Sequence, residues 1–421
     1  MTNEDIPPDV EQDAGGIFRV QKLLRTFYVA ARRQDLKARP LPVEIWGVPL
    51  VLYRDPEGSA VALLDRCPHR NVPLSSGRVC ATGELECAYH GWRFSNEGKC
   101  THIPGRVAGL EARYQVPKFQ VREDRDFVWV CPSELGPLSE PFPLPHRDDR
   151  SYTTVVREVA AEASLFAVVE NALDVPHTAV LHRGLFRSGK RNRVKVTVTQ
   201  YLDSVEARYE GEPVPKGLLA RLLSLGGAAE TRAPAKEDDT PTSGNATAGW
   251  STSNEGNVST RRDAERRAGG ATSAFVQHWD RFFLPSVLQV EYRLGATTHF
   301  VITGLCTPVT DHKTKIFAVA TYRTPLPGRL LAVVLEPVAR WVFAQDARLL
   351  KRQTRQTRRF GGEQFAFTEL DAIGPGLWRL LRQAKEQEST PTGGGLDSNE
   401  SEGAALQNRR AVRTDTFEMD A

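Results

Sequence analysis

The chain has 421 residues and a formal net charge of +3, with 40% hydrophobic residues, a composition ordinary for a soluble globular protein with room for two domains and a large core. Neither sign of charge dominates, so nothing in the composition argues for nucleic acid. The nearest approach to a membrane span, 326–343, is interrupted by Arg329, Glu336 and Arg340, so no span is expected.

In chain order, 1–15 reads as a disordered tail, acidic and polar, and unlike a signal or transit peptide. Residues 17–31 read as a lead-in segment with apolar residues at mixed spacing. Short strands are predicted at 42–46, 48–53 and 60–65, the last two joined by the turn Asp55-Pro56-Glu57-Gly58. Further short strands are predicted at 92–94, 116–121 and 126–130, giving a small β-sandwich. A Pro-rich run, 131–145, marks a linker. Beyond it the pattern predicts a strand at 152–161, a helix at 164–173, strands at 194–201 and 205–209, and a short helix at 218–225. The stretch 232–270 is rich in Ser, Thr, Asn, Gly and charge and reads as a disordered insertion. Strands are predicted again at 274–283, 286–292, 299–307 and 315–322. A long helix over 328–359 should end at Gly361-Gly362, a last helix covers 377–386, and everything after 388 reads as disordered.

Between the early strands lies RCPHRNVPLSSGRVCATGELECAYHGW. It holds Cys67 and His69 as C-x-H, then Cys87 and His90 as C-x-x-H, with seventeen residues between His69 and Cys87. Thiolate and imidazole suit iron and zinc. Two short loops that each offer one Cys and one His fit a Rieske [2Fe–2S] centre, in which two Cys hold one iron and two His the other. They also fit a Cys2His2 zinc site. Pro68 stiffens the first loop, Gly91 permits a tight turn in the second, and Trp92 can pack beneath the bound group. His102 stands outside the pattern and reads as a surface histidine. The remaining cysteines, Cys80, Cys100, Cys131 and Cys306, are scattered, without a disulfide framework, as expected of free thiols in the reducing cytoplasm.

A second constellation is ENALDVPHTAVLH, with Asp174, His177 and His182 as D-x-x-H-x-x-x-x-H. Residues five apart on a regular helix diverge by about 140°. Both imidazoles reach one ion only if the helix is distorted, and Pro176 supplies a reason, with a π-type turn as the expected outcome. Two histidines and one carboxylate with open positions form the facial triad of non-heme iron sites. The distant acid is Asp346, which follows apolar 341–344 and is the only acid between Glu336 and Glu363. The alternative is a pair of structural histidines and a helix carboxylate paired with an arginine.

The string CPHR…CAYHGW, followed by D-x-x-H-x-x-x-x-H and a late helical Asp, resembles the Rieske non-heme iron oxygenases over roughly 16–388. The respiratory type of Rieske domain carries a disulfide between its loops; Asn71, Val72, Ala88 and Tyr89 leave none available here. The resemblance implies an α+β chain, with a Rieske β-sandwich domain over 16–135 and a helix-grip (START-like) catalytic domain with an antiparallel sheet over 136–388, between tails at 1–15 and 389–421. It implies Cys67, His69, Cys87 and His90 as cluster ligands, and His177, His182 and Asp346 as ligands of a mononuclear Fe(II). Asp174 would bridge to His90 of the partner subunit in a homotrimer, and Asn171 matches a polar position near that Asp. Electrons would come from NAD(P)H through a ferredoxin or flavin reductase. O₂ would be the co-substrate, and an apolar aromatic or polycyclic small molecule would be hydroxylated, demethylated or desaturated. Phe283, Tyr292, Phe300 and Phe317 are candidate pocket walls, with core packing as the alternative and, for each singly, the commoner role. The insertion at 232–270 departs from the family pattern. The competing reading is a non-catalytic Rieske electron carrier with a ligand-binding domain. Finally, Arg348, Lys351, Arg352, Arg355, Arg358 and Arg359 make the end of the long helix basic, either as a solvated face or as a docking surface for an acidic ferredoxin.

Overall fold

The computed structural model describes residues 20–105, 113–182, 193–213, 275–294, 297–325, 327–384 and 411–420. The expected tail at 1–15, the short helix at 218–225 and the insertion at 232–270 lie outside them.

The N-terminal part is built from three small sheets. One pairs β2 (Leu41–Ile45), β3 (Val48–Arg54), β4 (Ala60–Leu64) and β9 (Lys118–Phe119). The second is a ladder of very short strands, β5 (Arg78–Val79), β6 (Leu85–Glu86), β7 (Arg93–Phe94) and β8 (Cys100–His102). The third joins β1 (Tyr28–Arg32), β11 (Phe127–Val130) and β10 (Val121–Glu123). The supposed lead-in segment therefore contains a strand. Tyr28, Val29, Ala30 and Ala31 are all buried, so β1 shows no alternation to read in the sequence. The β2–β3 hairpin turns through Trp46 and Gly47 with φ of 54° and 83°, the backbone that a two-residue primed turn demands. An aromatic residue there is held from outside: its backbone N–H donates to Pro308 O at 2.7 Å, and its indole N–H donates to the Tyr28 hydroxyl at 3.0 Å.

The C-terminal part is one eight-stranded sheet in which every recorded pairing is antiparallel. It is formed by β12 (Thr153–Ala161), β13 (Arg193–Gln200), β14 (Ser204–Pro213), β15 (Phe275–Phe283), β16 (Val287–Leu294), β17 (Thr298–Thr310), β18 (Lys313–Arg323) and β19 (Arg413–Asp420), in spatial order β12-β18-β17-β16-β15-β14-β13-β19. Among the described residues the α-helices are α1 (Leu165–Leu173), α2 (His177–Leu181), α3 (Gly328–Arg359) and α4 (Gly374–Gln383). The alternation of the strands splits the core in two. Val205, Ala207, Tyr209, Phe282, Leu288 and Cys306 pack with α1 and α4. Phe283, Val287, Leu305, Phe317 and Val319 pack against Phe27, Val29, Phe127 and Trp129 of the N-terminal sheet. Phe283 and Phe317 are thus core residues between the two parts and not pocket walls. Tyr292 and Phe300 lie in the opposite alternation, stacked on His278 at 4.2 Å and on Tyr322 at 5.4 Å.

The disordered tail expected over 389–421 is corrected at its end. Arg413–Asp420 is β19, paired with β13 along its whole length. Its inward residues, Phe417 and Met419, alternate with polar ones, and that period-2 signal is short enough to be missed beside the polar run before it.

Under the helices, His278 is buried between the rings of Tyr209 and Tyr292. Its Nδ1 and Nε2 each lie 3.0 Å from a carboxylate, of Glu212 and Asp280 respectively. Burial opposes its protonation, but Asp280 and Glu212 outweigh burial and raise its pKa to about 9. A raised histidine pKa stabilises the fold fully below its unfolded value of about 6.5, and that stabilisation is lost as pH rises through the folded value. Urea midpoints should therefore fall between about pH 6.5 and 9.5, by the equivalent of about 3 kcal/mol. The slope should be absent in His278→Phe; a midpoint unchanged over that window in the unsubstituted protein rules the ion pair out.

Candidate metal centres

The two Cys/His loops join β4 to β5 and β6 to β7, and they are built alike. In the first, Cys67 N–H donates to Val72 O at 2.9 Å and Asn71 N–H donates to Cys67 O at 2.9 Å. In the second, Cys87 N–H donates to Trp92 O at 2.8 Å and Gly91 N–H donates to Cys87 O at 3.1 Å. The residue that closes each turn is left-handed, Asn71 at φ 61° and Gly91 at φ 68°, and Asn and Gly are the residues that visit that region at least cost. A Cβ on Gly91 would stand 3.1 Å from the Pro104 ring.

This shared geometry puts both thiols inside and both imidazoles at the rim. Cys67 and Cys87 are buried, whereas His90 is exposed. Burial, with Cys87 beside it, pushes the Cys67 thiol up to about 11. The His69 and His90 rings are 4.5 Å apart, and His69 lies flat on Trp92 at 4.8 Å. His69 Nδ1 is buried with no hydrogen-bond partner among the described residues. Two thiols and two imidazoles therefore converge on one locus with an imidazole nitrogen left over, an arrangement that fits a bound metal group.

The second locus is assembled by a helix break. Ser164 caps α1, its hydroxyl accepting from Ala167 N–H at 3.2 Å, and α1 stops at Leu173. Asp174 is extended, and Pro176 disfavours helix at the residue before it. The chain restarts as α2 at His177, and His182 is its C-cap. The expected π-type turn is thus replaced by two separate helices, because Pro176 removes a donor just where α1 would need it. Asp174 accepts from His177 N–H at 3.1 Å, which fixes the start of α2.

α3 brings Asp346 to this break. His182 Nε2 is 3.1 Å and His177 Nε2 4.0 Å from Asp346 Oδ1, and the ligand atoms of the three residues all lie within 4.8 Å of one another. Both rings are anchored on the other nitrogen. His177 Nδ1 meets the Asp174 carbonyl, and His182 Nδ1 lies 2.8 Å from Gln345 Oε1. Such partners fix the tautomer and leave Nε2 for an ion. Asp346 Oδ1 is buried with no hydrogen bond of good geometry among the described residues, and burial holds its carboxyl above the ordinary range against the pull of His182 and His177. Burial lowers the His177 pKa, but the bonds to Asp174 and the charge of Asp346 outweigh it. Two imidazoles and a half-satisfied carboxylate around one point fit a divalent ion with positions to spare. Asn171 is in the last turn of α1, half buried and without a side-chain hydrogen bond among the described residues.

Comparison with known proteins bears on the first locus. A sequence profile of the Rieske [2Fe-2S] domain matches residues 26–120, which contain both loops. This chain carries a Rieske domain. A domain of this type supports a [2Fe–2S] cluster. Outside the Rieske domain the likeness continues in structure. Dicamba monooxygenase bound to dicamba superposes on 86% of this chain and 97% of its own, with a TM-score of 0.61 and 22% identity. NdmA of Pseudomonas putida with caffeine covers 86% and 90%, with a TM-score of 0.60 and 18% identity. The chain has the α+β fold of these Rieske oxygenases. In sequence it is 37% identical over 160 residues to the oxygenase component of dicamba O-demethylase from Stenotrophomonas maltophilia, which is 37% of this chain and 47% of that protein. It is 33% identical over 217 residues to 4beta-methylsterol monooxygenase from Methylococcus capsulatus, 48% and 55% respectively. The match thus spans about half the length of these two relatives.

Two residues near the second locus carried no sequence signal. Gln345 is distinguished only by its place beside Asp346. Glu170 lies within α1 and lines a small cleft with Asp174, Tyr209 and Asp371; burial, then Asp174 and Asp371, push its carboxyl up to about 7. No helix among the described residues is long and apolar enough to cross a membrane.

Proposed function

We propose that this protein is the oxygenase component of a Rieske-type system. Cys67, His69, Cys87 and His90 hold the [2Fe–2S] cluster, and His177, His182 and Asp346 hold a mononuclear Fe(II). When bound, the two centres supply electron storage and the activation of O₂. The protein's own contribution is placement. Asp174 and Gln345 set the tautomers of His177 and His182, and the buried Asp346 oxygen completes the donor set. NAD(P)H would be the electron source, through a ferredoxin or flavin reductase. The relatives' names, an O-demethylase of dicamba and a methylsterol monooxygenase, support an apolar aromatic or polycyclic substrate and the removal or oxidation of a methyl group. A homotrimer that brings His90 of the partner subunit to Asp174 fits the exposed position of His90.

The observation that carries this reading over a plain electron carrier is the convergence of His177, His182 and Asp346. Metal analysis tests it. An oxygenase holds about three irons per chain, two in the cluster and one apart from it, whereas a carrier holds about two. Two irons per chain in protein with a complete Rieske spectrum would favour the carrier.

A further inference from the structure

The helix that carries Asp346 inward has an outward face of unusual make-up. Leu330, Val333, Val334 and Trp341 are 66%, 72%, 48% and 46% exposed, and Pro337 between them is exposed too. With steps of three or four residues these positions form one stripe along α3. The same stripe continues through Arg348, Arg352, Arg355 and Arg359, all exposed, with Lys351 and Arg358 beside it. Lys351 is paired with Glu162 at 2.8 Å. One face of one helix, about 48 Å long, is therefore apolar over its first half, with exposed Arg340 beside it, and cationic over its second.

We infer that this face docks the protein on an anionic lipid bilayer. An acidic partner protein would match the cations and leave the apolar half in water. A second copy of the chain presenting this same face would set guanidinium groups against the apolar half or against each other, and a copy presenting a different face, as in a ring, is an outcome of the test below. A bilayer surface offers both halves their match at once, acyl chains at the headgroup boundary for Leu330, Val333 and Val334, and phosphates for the arginines. The Trp341 indole, at the middle of the face, is of the type that prefers that boundary. Its ring lies 6.5 Å from the His182 ring, so docking would bring the proposed iron site to the lipid side of the molecule. The use of this, delivery of an apolar substrate from the bilayer, rests on the proposed function; the docking itself does not.

The test is sedimentation of the metal-loaded protein with phosphatidylcholine vesicles, with or without about a third phosphatidylglycerol, at low and physiological salt. Binding to the anionic vesicles should exceed binding to neutral ones by at least about tenfold, since each Lys or Arg near such a surface contributes roughly fivefold. Salt should weaken it without abolishing it. Val333→Asp should reduce it about tenfold, as should Arg352→Glu combined with Arg355→Glu. Brominated lipid should quench indole emission, and less so in Trp341→Phe. Three outcomes overturn the inference: no sedimentation with anionic vesicles; binding that is indifferent to Val333→Asp and vanishes with salt, as a surface for an acidic protein would behave; or a change of oligomeric state in Val333→Asp, which would show that another copy of the chain covers the face. None of these readouts involves turnover, so failure of the oxygenase reading would leave the result interpretable.

Discussion

Replacing His182 by alanine is expected to remove about one iron per chain and to stop turnover, while the visible spectrum of the Rieske cluster persists. His182 is the most buried of the three residues, and it closes the shortest distance to Asp346, 3.1 Å. Alanine leaves that carboxylate buried with neither an ion nor an imidazole beside it. Asp346→Ala should give the same loss, because two imidazoles alone bind Fe(II) weakly. Gln345→Leu should be graded between these and the unsubstituted protein. It keeps the donor set but frees the His182 ring, and loss of such a supporting hydrogen bond typically weakens metal binding by about 10–100-fold. Titration with Fe(II) under anaerobic conditions separates the three variants. Full activity in Asp346→Ala would place the third ligand elsewhere.

Asp174→Asn should behave in the opposite way, keeping its metals and losing its rate. Asparagine can still accept from His177 N–H and so preserve the start of α2. What it loses is the negative charge that lies 3.5 Å from His177 Nδ1 and raises the pKa of that ring. In the proposed trimer the same carboxylate also accepts from His90 of the partner subunit, which makes it the link between the two centres. The variant should therefore keep about three irons per chain and a normal Rieske spectrum. Reoxidation of the reduced cluster by O₂ plus substrate should slow by at least about a hundredfold in a single turnover. If Asp174 serves only as a helix cap, reoxidation keeps its normal rate and stability is nearly unchanged, because Asn caps about as well as Asp. A monomeric, fully active protein would also end the bridging idea.

The Cys/His loops were legible because their chemistry and their backbone demands are both local. Cys67, His69, Cys87 and His90 stand in two short strings, each ending in a residue that tolerates a left-handed backbone. The second locus was half legible. Asp174, His177 and His182 are close in sequence, and Pro176 announced a distortion but not its form, which depends on where α1 runs out of packing partners. Asp346 was chosen for being alone among apolar and basic residues; its distance from His182 is a tertiary fact. Gln345 and Glu170 were illegible for the same reason, since only the fold gives them neighbours. Among strands, β3 and β11 were read almost to the residue although each is buried at four successive positions, because their bulky apolar runs LVLY and FVWV favour strand, whereas β1, YVAAR, spends two of its four buried positions on alanine and offers neither alternation nor such a run. Phe283 and Phe317 took the core role rather than the pocket role, a choice the sequence left open because alternation shows which residues share a face and not what covers it.

The strand Arg413–Asp420 has a consequence for how the protein survives in a crowded solution. Without it, β13 would be the border of the large sheet, presenting the unpaired backbone of RVKVTVTQ, a run rich in β-branched residues. Such a border is a template for the next molecule's border and so for aggregation. β19 closes it with eight paired residues and substitutes its own outer edge, whose sequence RTDTFEMD carries four charges in eight residues. Charge along an edge discourages further strands from adding. The last strand thus acts as a selvedge, keeping the sheet from knitting onto its neighbours.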